Sequence, residues 1–456
     1  MAITHTTHPT SARPATLVPI AGSQFWLGPA SAGDHLTIRA LLADAGREPS
    51  MAEFQSQIDE PYYEPTDRLV VRQGMKLLSH VRIQNRTIHF GRRTLPVAWL
   101  TDLATISEYR RRGFASALVA AAERQMQTNG AVLGLVNATH PGLFLRRGWI
   151  PWGRPSHARA GARDVLAQIV RRREDRPKVL ESVGPAVRPL PSLSTRLWRH
   201  VEQSALERIY EANVANSYGP AARSSEYWRW LVSRHGHDAI YVAVAGRDRW
   251  TLDTSNIVGY AVVRNCHLVE LFAAPERPDA IEHLMTRICG EFIEEDRNDV
   301  WLDAAPNHPW YAEMLAAGGE LVRPDSEHGH TLMARLFQPL AFLGELAPEL
   351  TSRVRGESEW IGAKLALRAG SLQATLVIHE GRVEVQLGAD GESWLEGELG
   401  PMSQAILGHD AIPTLLADGR LHASDARSAR LASLLFPKLP YWHPTWDDLP
   451  SQSSEV

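Results

Sequence analysis

The chain has 456 residues, of which 44% are hydrophobic and 22% charged, and a formal net charge of -4. This length predicts two to four domains, and the apolar content excludes global disorder, while the near-neutral charge gives no electrostatic case for binding nucleic acid. Two cysteines cannot form a disulfide framework or a thiolate metal cage, and no apolar run reaches the length of a membrane span.

Residues 1–25 lack the basic and apolar segments of a signal peptide, which predicts a flexible tail on a cytoplasmic protein. Helical spacing begins at Asp34, and "SMAEFQSQI" predicts a second helix. The hydrophobic residues of the next segments then recur with a period of two residues, which is typical of strands. The segments "DRLVV", "KLLSHVRI" and "TIHFG" predict an antiparallel meander with a polar turn between successive strands, and "LPVAWLTDLATI" predicts a further long strand.

A helix over Ala115 to Thr128, a short strand and the return "LFLRRGWIPWG" complete an α/β domain over residues 26–170. Residues 171–196 are charged and proline-rich, which predicts a linker. The same element order starts again over residues 197–338 without obvious residue identity, which indicates a degenerate duplication. Residues 339–449 predict a small α+β domain, and residues 450–456 a tail.

The stretch "EYRRRGFASALVAAAE" joins the long strand to the helix that follows it. Small residues at Gly113, Ala115 and Ser116 let a ligand approach the backbone, and the first amides of a helix have no partners within it. With the arginines they form a cradle for a diphosphate. The alternative is a basic turn before an ordinary helix.

The residues after this loop favour the cradle. Asn137, Phe144 and the pair Gly148-Trp149 fit N-x6-[YF]-x3-G-[FWY], a pattern that follows the diphosphate loop in the acetyl-CoA-dependent N-acetyltransferases called GNAT. The stretch "LPVAWLTDLATISEYRRRGFA" resembles the cofactor motif of the enhanced-intracellular-survival (Eis) type, in which a proline usually stands at the place of Ser107. That resemblance implies tandem GNAT units, a sterol-carrier-like C-terminal domain and a homo-oligomer. The segment "ELFAAPERPDA" lacks the cradle, so the second unit is expected to be degenerate and not to bind CoA.

The resemblance implies that acetyl-CoA is the cosubstrate. Main-chain groups of Leu103 to Thr105 would fix the pantetheine and the thioester oxygen, as an oxyanion hole does, although they also serve in ordinary sheet pairing. The residues implied in cofactor binding are Leu103, Ala104, Thr105, Arg110, Arg111, Arg112, Gly113, Phe114, Ala115, Ser116, Asn137 and Phe144.

The catalytic groups are harder to assign. Relatives commonly place a tyrosine as general acid where Phe144 stands, and phenylalanine cannot donate a proton. Asp102 is a candidate base, but strand parity turns it away from Leu103 unless a bulge intervenes, and the alternative is a core polar group. In Eis-like enzymes the terminal carboxylate enters the active site. This chain continues with "DDLPSQSSEV", so Asp447, beside Asp448, is a second catalytic candidate, the alternative being a solvated acidic tail.

An acceptor site is predicted within "EFQSQIDEPYYEPTD". Glu53 would attract a cationic amine between the rings of Tyr62 and Tyr63, and the alternative is a solvated loop with two half-buried tyrosines. The histidine pairs of "RHGHD" and "EHGH" have a poor spacing for metal ligands, so no metal site is predicted.

Two functions from different classes fit these residues. The first is an acetyl-CoA-dependent N-acyltransferase, in which the primary amine of a small cationic or peptide-like acceptor attacks directly. The second is a non-catalytic acyl-CoA- or lipid-binding protein that keeps the cradle. Phe144 and the extended C-terminus favour the second, whereas the loop and the acidic acceptor segment favour the first.

Overall fold

A computed structural model describes residues 18–19, 24–153, 157–175, 191–246, 248, 250–322 and 331–448. Most of the predicted N-terminal tail, the predicted tail over 450–456, the middle of the predicted linker and the histidines of "EHGH" lie outside these residues. Val18–Pro19, inside the predicted N-terminal tail, pairs with Trp26–Leu27 as a short strand.

The strands lie at the following positions: β1 (Val18–Pro19), β2 (Trp26–Pro29), β3 (Arg68–Gln73), β4 (Lys76–Phe90), β5 (Arg93–Thr105), β6 (Leu133–Ala138), β7 (Ile150–Pro151), β8 (His157–Gly161), β9 (Leu193–Leu197), β10 (Tyr218–Ala221), β11 (Ala239–Ala245), β12 (Ile257–Arg264), β13 (His267–Ala273), β14 (Asp299–Asp303), β15 (Glu320–Val322), β16 (Thr331–Leu336), β17 (Lys364–Ala369), β18 (Leu372–His379), β19 (Arg382–Leu387), β20 (Trp394–Gly397) and β21 (Leu421–Ala423).

The α-helices lie at the following positions: α1 (His35–Asp44), α2 (Met51–Ile58), α3 (Phe114–Thr128), α4 (Pro141–Leu145), α5 (Ala162–Asp175), α6 (Gln203–Val214), α7 (Ser225–Ser233), α8 (Asp279–Glu294), α9 (Trp310–Ala316), α10 (Pro339–Arg353), α11 (Leu399–Ile406), α12 (Ile412–Ala417) and α13 (Ala426–Leu435). The mixed α/β class predicted from the sequence is confirmed. None of the described helices combines the length and apolarity needed to cross a bilayer.

The chain divides into two compact units, and the first comprises Met1–Pro49, Tyr63–Gln84 and Leu100–Gln125. Its strands run in the order β1-β2-β3-β4-β5, with antiparallel pairing from β1 to β4. The core of this unit consists of alternating strand residues and one stripe of each helix. Representative fully buried side chains are Ile38, Val70, Val81 and Leu118.

The second unit comprises Ser50–Tyr62, Asn85–Trp99 and Met126–Val456. The remaining parts of β4 and β5 continue here in the order β4-β5-β6-β16-β7, and β10 pairs with β4. A seven-stranded sheet has the order β15-β8-β14-β13-β12-β11-β9, and a five-stranded sheet the order β19-β18-β17-β20-β21. The helix α8 packs its apolar stripe on the seven-stranded sheet, burying Leu284, Met285 and Ile288.

Two strands pair outside the sheet that chain order suggests. The strand β8 precedes the predicted linker but pairs with β14 and β15, while β16, near the end of the predicted second domain, pairs with β6 and β7. The charged residues 171–175, taken as the start of the linker, form the last turn of α5, where Arg173 pairs with Glu282. Similarly, the predicted turn between "KLLSHVRI" and "TIHFG" is wrong, because β4 is one strand. The polar side chain of Arg86 is buried there against Glu60 and Asp448.

Candidate active site

Residues 110–113 connect a short 3₁₀ turn (Ser107–Tyr109) to α3. Arg111 has a φ of 60° and Gly113 a φ of 83°, so the loop enters the left-handed region twice. A methyl group on Gly113 would meet no atom within 4 Å, which means that the space beside its backbone is open. Glycine therefore permits the turn and lets a ligand approach the main chain.

The backbone N–H groups of this loop are available to a ligand. Across the described ranges, none of the N–H groups from Arg111 to Ser116 donates to a backbone carbonyl, and α3 begins with a bond of 2.9 Å from the N–H of Ala117 to the carbonyl of Gly113. Consecutive free amides at the positive end of a helix dipole attract an anion. The local geometry thus fits the diphosphate of a CoA molecule.

The three arginines of the loop are exposed. Arg110 braces the loop, because its Nε donates to the Thr105 carbonyl at 3.2 Å and its Nη2 to the Ala45 carbonyl at 3.4 Å. The guanidinium of Arg112 lies 4.7 Å from the centre of the Tyr109 ring. The charges of Arg111 and Arg112 remain at the surface, where they can add to the attraction of the amides for phosphate.

The strand before the loop is irregular at Asp102, which has a φ of 53°. Its carbonyl accepts a hydrogen bond from His80 Nδ1 at 3.0 Å, and the carbonyl of Ala104 accepts one from Ser79 Oγ at 2.7 Å. Regular alternation along β5 is therefore interrupted at Asp102, as the bulge left open by the sequence would require. Sequence reasoning missed Ser79 and His80, although two polar residues inside the apolar run "KLLSHVRI" are a signal.

The Asp102 carboxylate is partly engaged. Its Oδ1 lies 3.3 Å from Arg47 Nη1, and 18% of the side chain is exposed. Its Oδ2 is buried and has no hydrogen-bond partner among the described residues. A carboxylate with one unused oxygen can accept a proton, so this geometry is compatible with a base. The catalytic role of Asp102 stays a prediction.

Two predicted cofactor residues lie in the second unit. Phe144 is 4% exposed and its ring meets that of Trp149 edge-on at 5.4 Å. Asn137 has an exposed side chain at the end of β6, where its backbone is paired with Leu332 of β16. The Phe144 side chain thus packs against the Trp149 ring and offers no proton donor.

The predicted acceptor residues are divided between the units. Tyr63, in the first, has its hydroxyl 2.7 Å from His35 Nε2 and accepts from Arg68 Nε at 3.2 Å. In the second, the Tyr62 hydroxyl donates to Ser224 Oγ at 2.6 Å and its ring stacks on that of Tyr227.

Glu53 stands in the first turn of α2 and is half-buried. Its backbone N–H donates to Ser50 Oγ, which caps the helix. The assignment of Glu53, Tyr62 and Tyr63 to acceptor binding stays a prediction.

Asp447 is buried, and it does not lie in a solvated tail. Both of its oxygens accept hydrogen bonds from Arg223, at 3.0 Å each, and Arg223 also pairs with Glu270. Asp448 lies 3.2 Å from Arg86 Nη1 and 2.9 Å from His443 Nε2. No sequence signal could have revealed these pairs, because Arg223 and Asp447 are 224 residues apart.

The pKa of Asp447 reflects this environment. Burial acts to raise it, but the charge of Arg223, followed by that of His443, outweighs burial and holds the pKa below its usual value. Asp447 is therefore ionised at neutral pH. Elsewhere, no three described His, Cys, Asp or Glu side chains are arranged to hold a metal ion.

The sheet, the loop and the helix that follows it define the class of domain. Residues 29–151 match the acetyltransferase (GNAT) domain family, so this part of the chain is a GNAT acetyltransferase domain. The match begins at Pro29, the last residue of β2, ends at Pro151, the last residue of β7, and includes Asp102, the loop and α3. No curated protein sequence matches the chain significantly.

Solved structures extend the likeness to nearly the whole chain. A GCN5-related N-acetyltransferase from Anabaena variabilis is similar with a TM-score of 0.68 and 14% identity, covering 92% of this chain and 99% of that one. Eis1 from Mycobacterium abscessus is similar with a TM-score of 0.61, 14% identity and the same two coverages. An N-acetyltransferase of the same kind from Kribbella flavida has a TM-score of 0.65 at 14% identity, again over 92% and 99% of the chains. The Eis-like resemblance is confirmed at the level of the fold.

Proposed function

We propose that the protein is an acetyl-CoA-dependent N-acyltransferase that acts on the primary amine of a small cationic or peptide-like acceptor. The loop between β5 and α3 carries the proposal. Open space at Gly113, consecutive free amides and exposed arginines come together there. A plain basic turn needs none of these in combination.

Acetyl-CoA would supply the acyl group as a thioester. The amides from Arg111 to Ser116 would bind its diphosphate, and Arg111 and Arg112 would add charge. Main-chain groups of Leu103 to Thr105 would hold the pantetheine and polarise the thioester carbonyl. Asp102, through its unused Oδ2, is our candidate to take the proton of the attacking amine.

Phe144 offers the leaving thiolate no proton, so the proton comes from another source, such as water or the acceptor. General acid help contributes about a hundred- to ten-thousand-fold to a rate. Its absence at this position predicts slow turnover and does not forbid the reaction.

A phenylalanine at position 144, where relatives have an acid, also favours a second candidate. This candidate is a non-catalytic acyl-CoA- or lipid-binding protein. Phe144 packs on Trp149 in an apolar contact that a binding protein would tolerate. In that function the loop binds CoA, and Asp102 accepts no proton.

The test measures two quantities on the same samples. Binding of acetyl-CoA is followed by calorimetry, and release of free thiol is followed with a panel of polyamines, aminoglycosides and short peptides. Thiol release that requires an acceptor supports the transferase. Binding without thiol release supports the binding protein, and a failure to bind acetyl-CoA overturns the transferase and the acyl-CoA-binding form of the alternative.

A matched pair of variants assigns the binding to the loop. Gly113 and Gly130 both have positive φ, 83° and 86°, and a methyl group on either would meet no atom within 4 Å. Alanine at either position therefore costs similar backbone strain, about 1–2 kcal/mol. Gly113→Ala should weaken acetyl-CoA binding, whereas Gly130→Ala, at the far end of α3, should not.

A further inference from the structure

Two adjacent residues of β4 hold the backbone of β5 with their side chains. Ser79 and His80 are both fully buried. Neighbours on a regular strand point to opposite faces, yet Ser79 Oγ donates to the Ala104 carbonyl at 2.7 Å and His80 Nδ1 lies 3.0 Å from the Asp102 carbonyl oxygen. The register with β3 shifts between Leu77 and Ser79, so β4 is irregular immediately before these two residues.

The surroundings of His80 fix which ring nitrogen carries the proton. Its Nε2 lies 3.3 Å from Arg68 Nη1. A guanidinium can only donate, so Nε2 accepts and the proton resides on Nδ1, from which it is donated to the Asp102 carbonyl. Burial, followed by the charge of Arg68, lowers the pKa of His80 to about 3. The ring therefore stays neutral and keeps this tautomer at neutral pH.

The bond from His80 falls on a residue in a costly conformation. Asp102 has a φ of 53°, a torsion that is uncommon for a non-glycine residue, and contacts with its surroundings hold it there. Here the carbonyl is held by His80, and the carboxylate by Arg47 at 3.3 Å. Strain of this kind is concentrated at functional sites.

The two bonds also orient the peptide groups between them. The carbonyls of Asp102 and Ala104 are both directed to side chains of β4. After the irregularity at Asp102, the Ala104 carbonyl and the Ile106 N–H both point to β4. Alternation over this regular stretch directs the N–H and C=O of Leu103 to the other edge. Thr105 Oγ1 lies 2.7 Å from Ser79 Oγ, and because Ser79 spends its proton on Ala104, the threonine hydroxyl donates to it.

We propose that His80, assisted by Ser79, is a positioning residue of the acyl-transfer site: it fixes the bulge at Asp102 and thereby aims the Leu103 peptide group at the acyl donor. This role rests on the proposed function. His80 touches neither acceptor nor acyl donor, and it acts through the Asp102 carbonyl.

Two variants separate the bonds of His80. In His80→Asn the amide nitrogen takes the approximate place of Nδ1 and can still donate to the Asp102 carbonyl, while the contact with Arg68 is lost. In His80→Gln the side chain reaches the place of Nε2 and can still accept from Arg68, while the bond to Asp102 is lost. Each variant loses one buried hydrogen bond, so both should lose a similar amount of stability, which thermal unfolding measures.

Only the bond to Asp102 should matter for acyl transfer. Misplacing a reacting group by about 1 Å costs on the order of a hundredfold in rate, so His80→Gln should lower kcat by about 10- to 100-fold. His80→Asn should keep most of the wild-type kcat. The KM for the amine acceptor should stay unchanged in both variants, because the bulge acts on the acyl donor.

The outcomes distinguish this proposal from the function on which it rests. Failure of the wild-type protein to bind acetyl-CoA overturns the proposed function and the role of His80 with it. Binding and turnover by the wild type with equal kcat in both variants overturns the role of His80 alone. Nitrogen chemical shifts of the His80 ring, assigned by their loss in His80→Gln, give a readout independent of activity, and a proton on Nε2 contradicts the proposal.

Discussion

Replacement of Asp447 by asparagine should destabilise the protein by a moderate amount, which the buried cluster around Arg223 allows us to work out. Arg223, Glu270 and Asp447 all have side chains that are 0% exposed. One guanidinium thus serves two carboxylates, and the hydroxyl of Tyr260 donates to Glu270 at 2.9 Å. Burial raises the pKa of Glu270, as expected for the carboxylate that shares its cation.

Asp447→Asn leaves Arg223 paired with Glu270, so no buried charge loses its last partner. The loss is that of charge-assisted hydrogen bonds, about 1.5–3 kcal/mol in the free energy of unfolding. Arg223→Met instead removes the hydrogen-bonded cation that two buried carboxylates share. Removing one partner of a buried ion pair costs about 3–5 kcal/mol, so this variant should be the less stable of the two.

Urea unfolding followed by tryptophan fluorescence measures both variants. An unchanged midpoint for Asp447→Asn, or a smaller loss for Arg223→Met than for Asp447→Asn, would refute the reasoning. Kinetics of the folded fraction then address the predicted catalytic role of Asp447. A base would lower kcat/KM by about a hundred- to ten-thousand-fold on replacement, whereas an unchanged kcat/KM leaves Asp447 with the structural role alone.

Three further predictions follow from the site. Phe144→Tyr supplies the hydroxyl that is missing at this position, so it should raise kcat, and it should cost about 1–3 kcal/mol in stability because the side chain is buried; an unchanged kcat contradicts this. Arg111→Gln combined with Arg112→Gln should weaken acetyl-CoA binding about tenfold and reduce its dependence on salt, as calorimetry at two ionic strengths would reveal. The pKa of His80 is lowered to about 3 from 6.5, so the unfolded chain binds more protons between these values and stability should fall as pH drops below 6.5; His80→Asn should show a shallower fall in its urea midpoint.

The local sequence was sufficient to predict the loop before α3 and the strand that leads into it. Gly113, the arginines and the helix that follows are contiguous, and their chemistry depends on the backbone of a few neighbouring residues. The sequence could not decide whether β5 is irregular at Asp102. That irregularity depends on the side chains of Ser79 and His80, more than twenty residues earlier. Local periodicity predicts that those two residues lie on a strand, but it gives no contact for either side chain.

Long-range pairing explains what could not be predicted. From the sequence alone, the polar residues around Arg86 indicate a turn. They lie within a strand because Arg86 is paired with Glu60 and with Asp448 near the C-terminus. Likewise, the pairing of β8 with β14 and of β16 with β6 joins segments that are far apart in the chain. Local periodicity predicts that such strands exist, but it carries no information on their neighbours.

The choice between a transferase and a CoA-binding protein depends on which features binding alone requires. In the proposed function the loop alone would bind a diphosphate, through its exposed backbone and three exposed arginines. Binding of the diphosphate by the loop does not require the conformation of Asp102, which costs about 1–3 kcal/mol. Three groups enforce it: His80 on the carbonyl, Arg68 behind His80, and Arg47 on the carboxylate. We therefore favour a transferase, because a protein that bound CoA through the loop alone would gain stability without this arrangement.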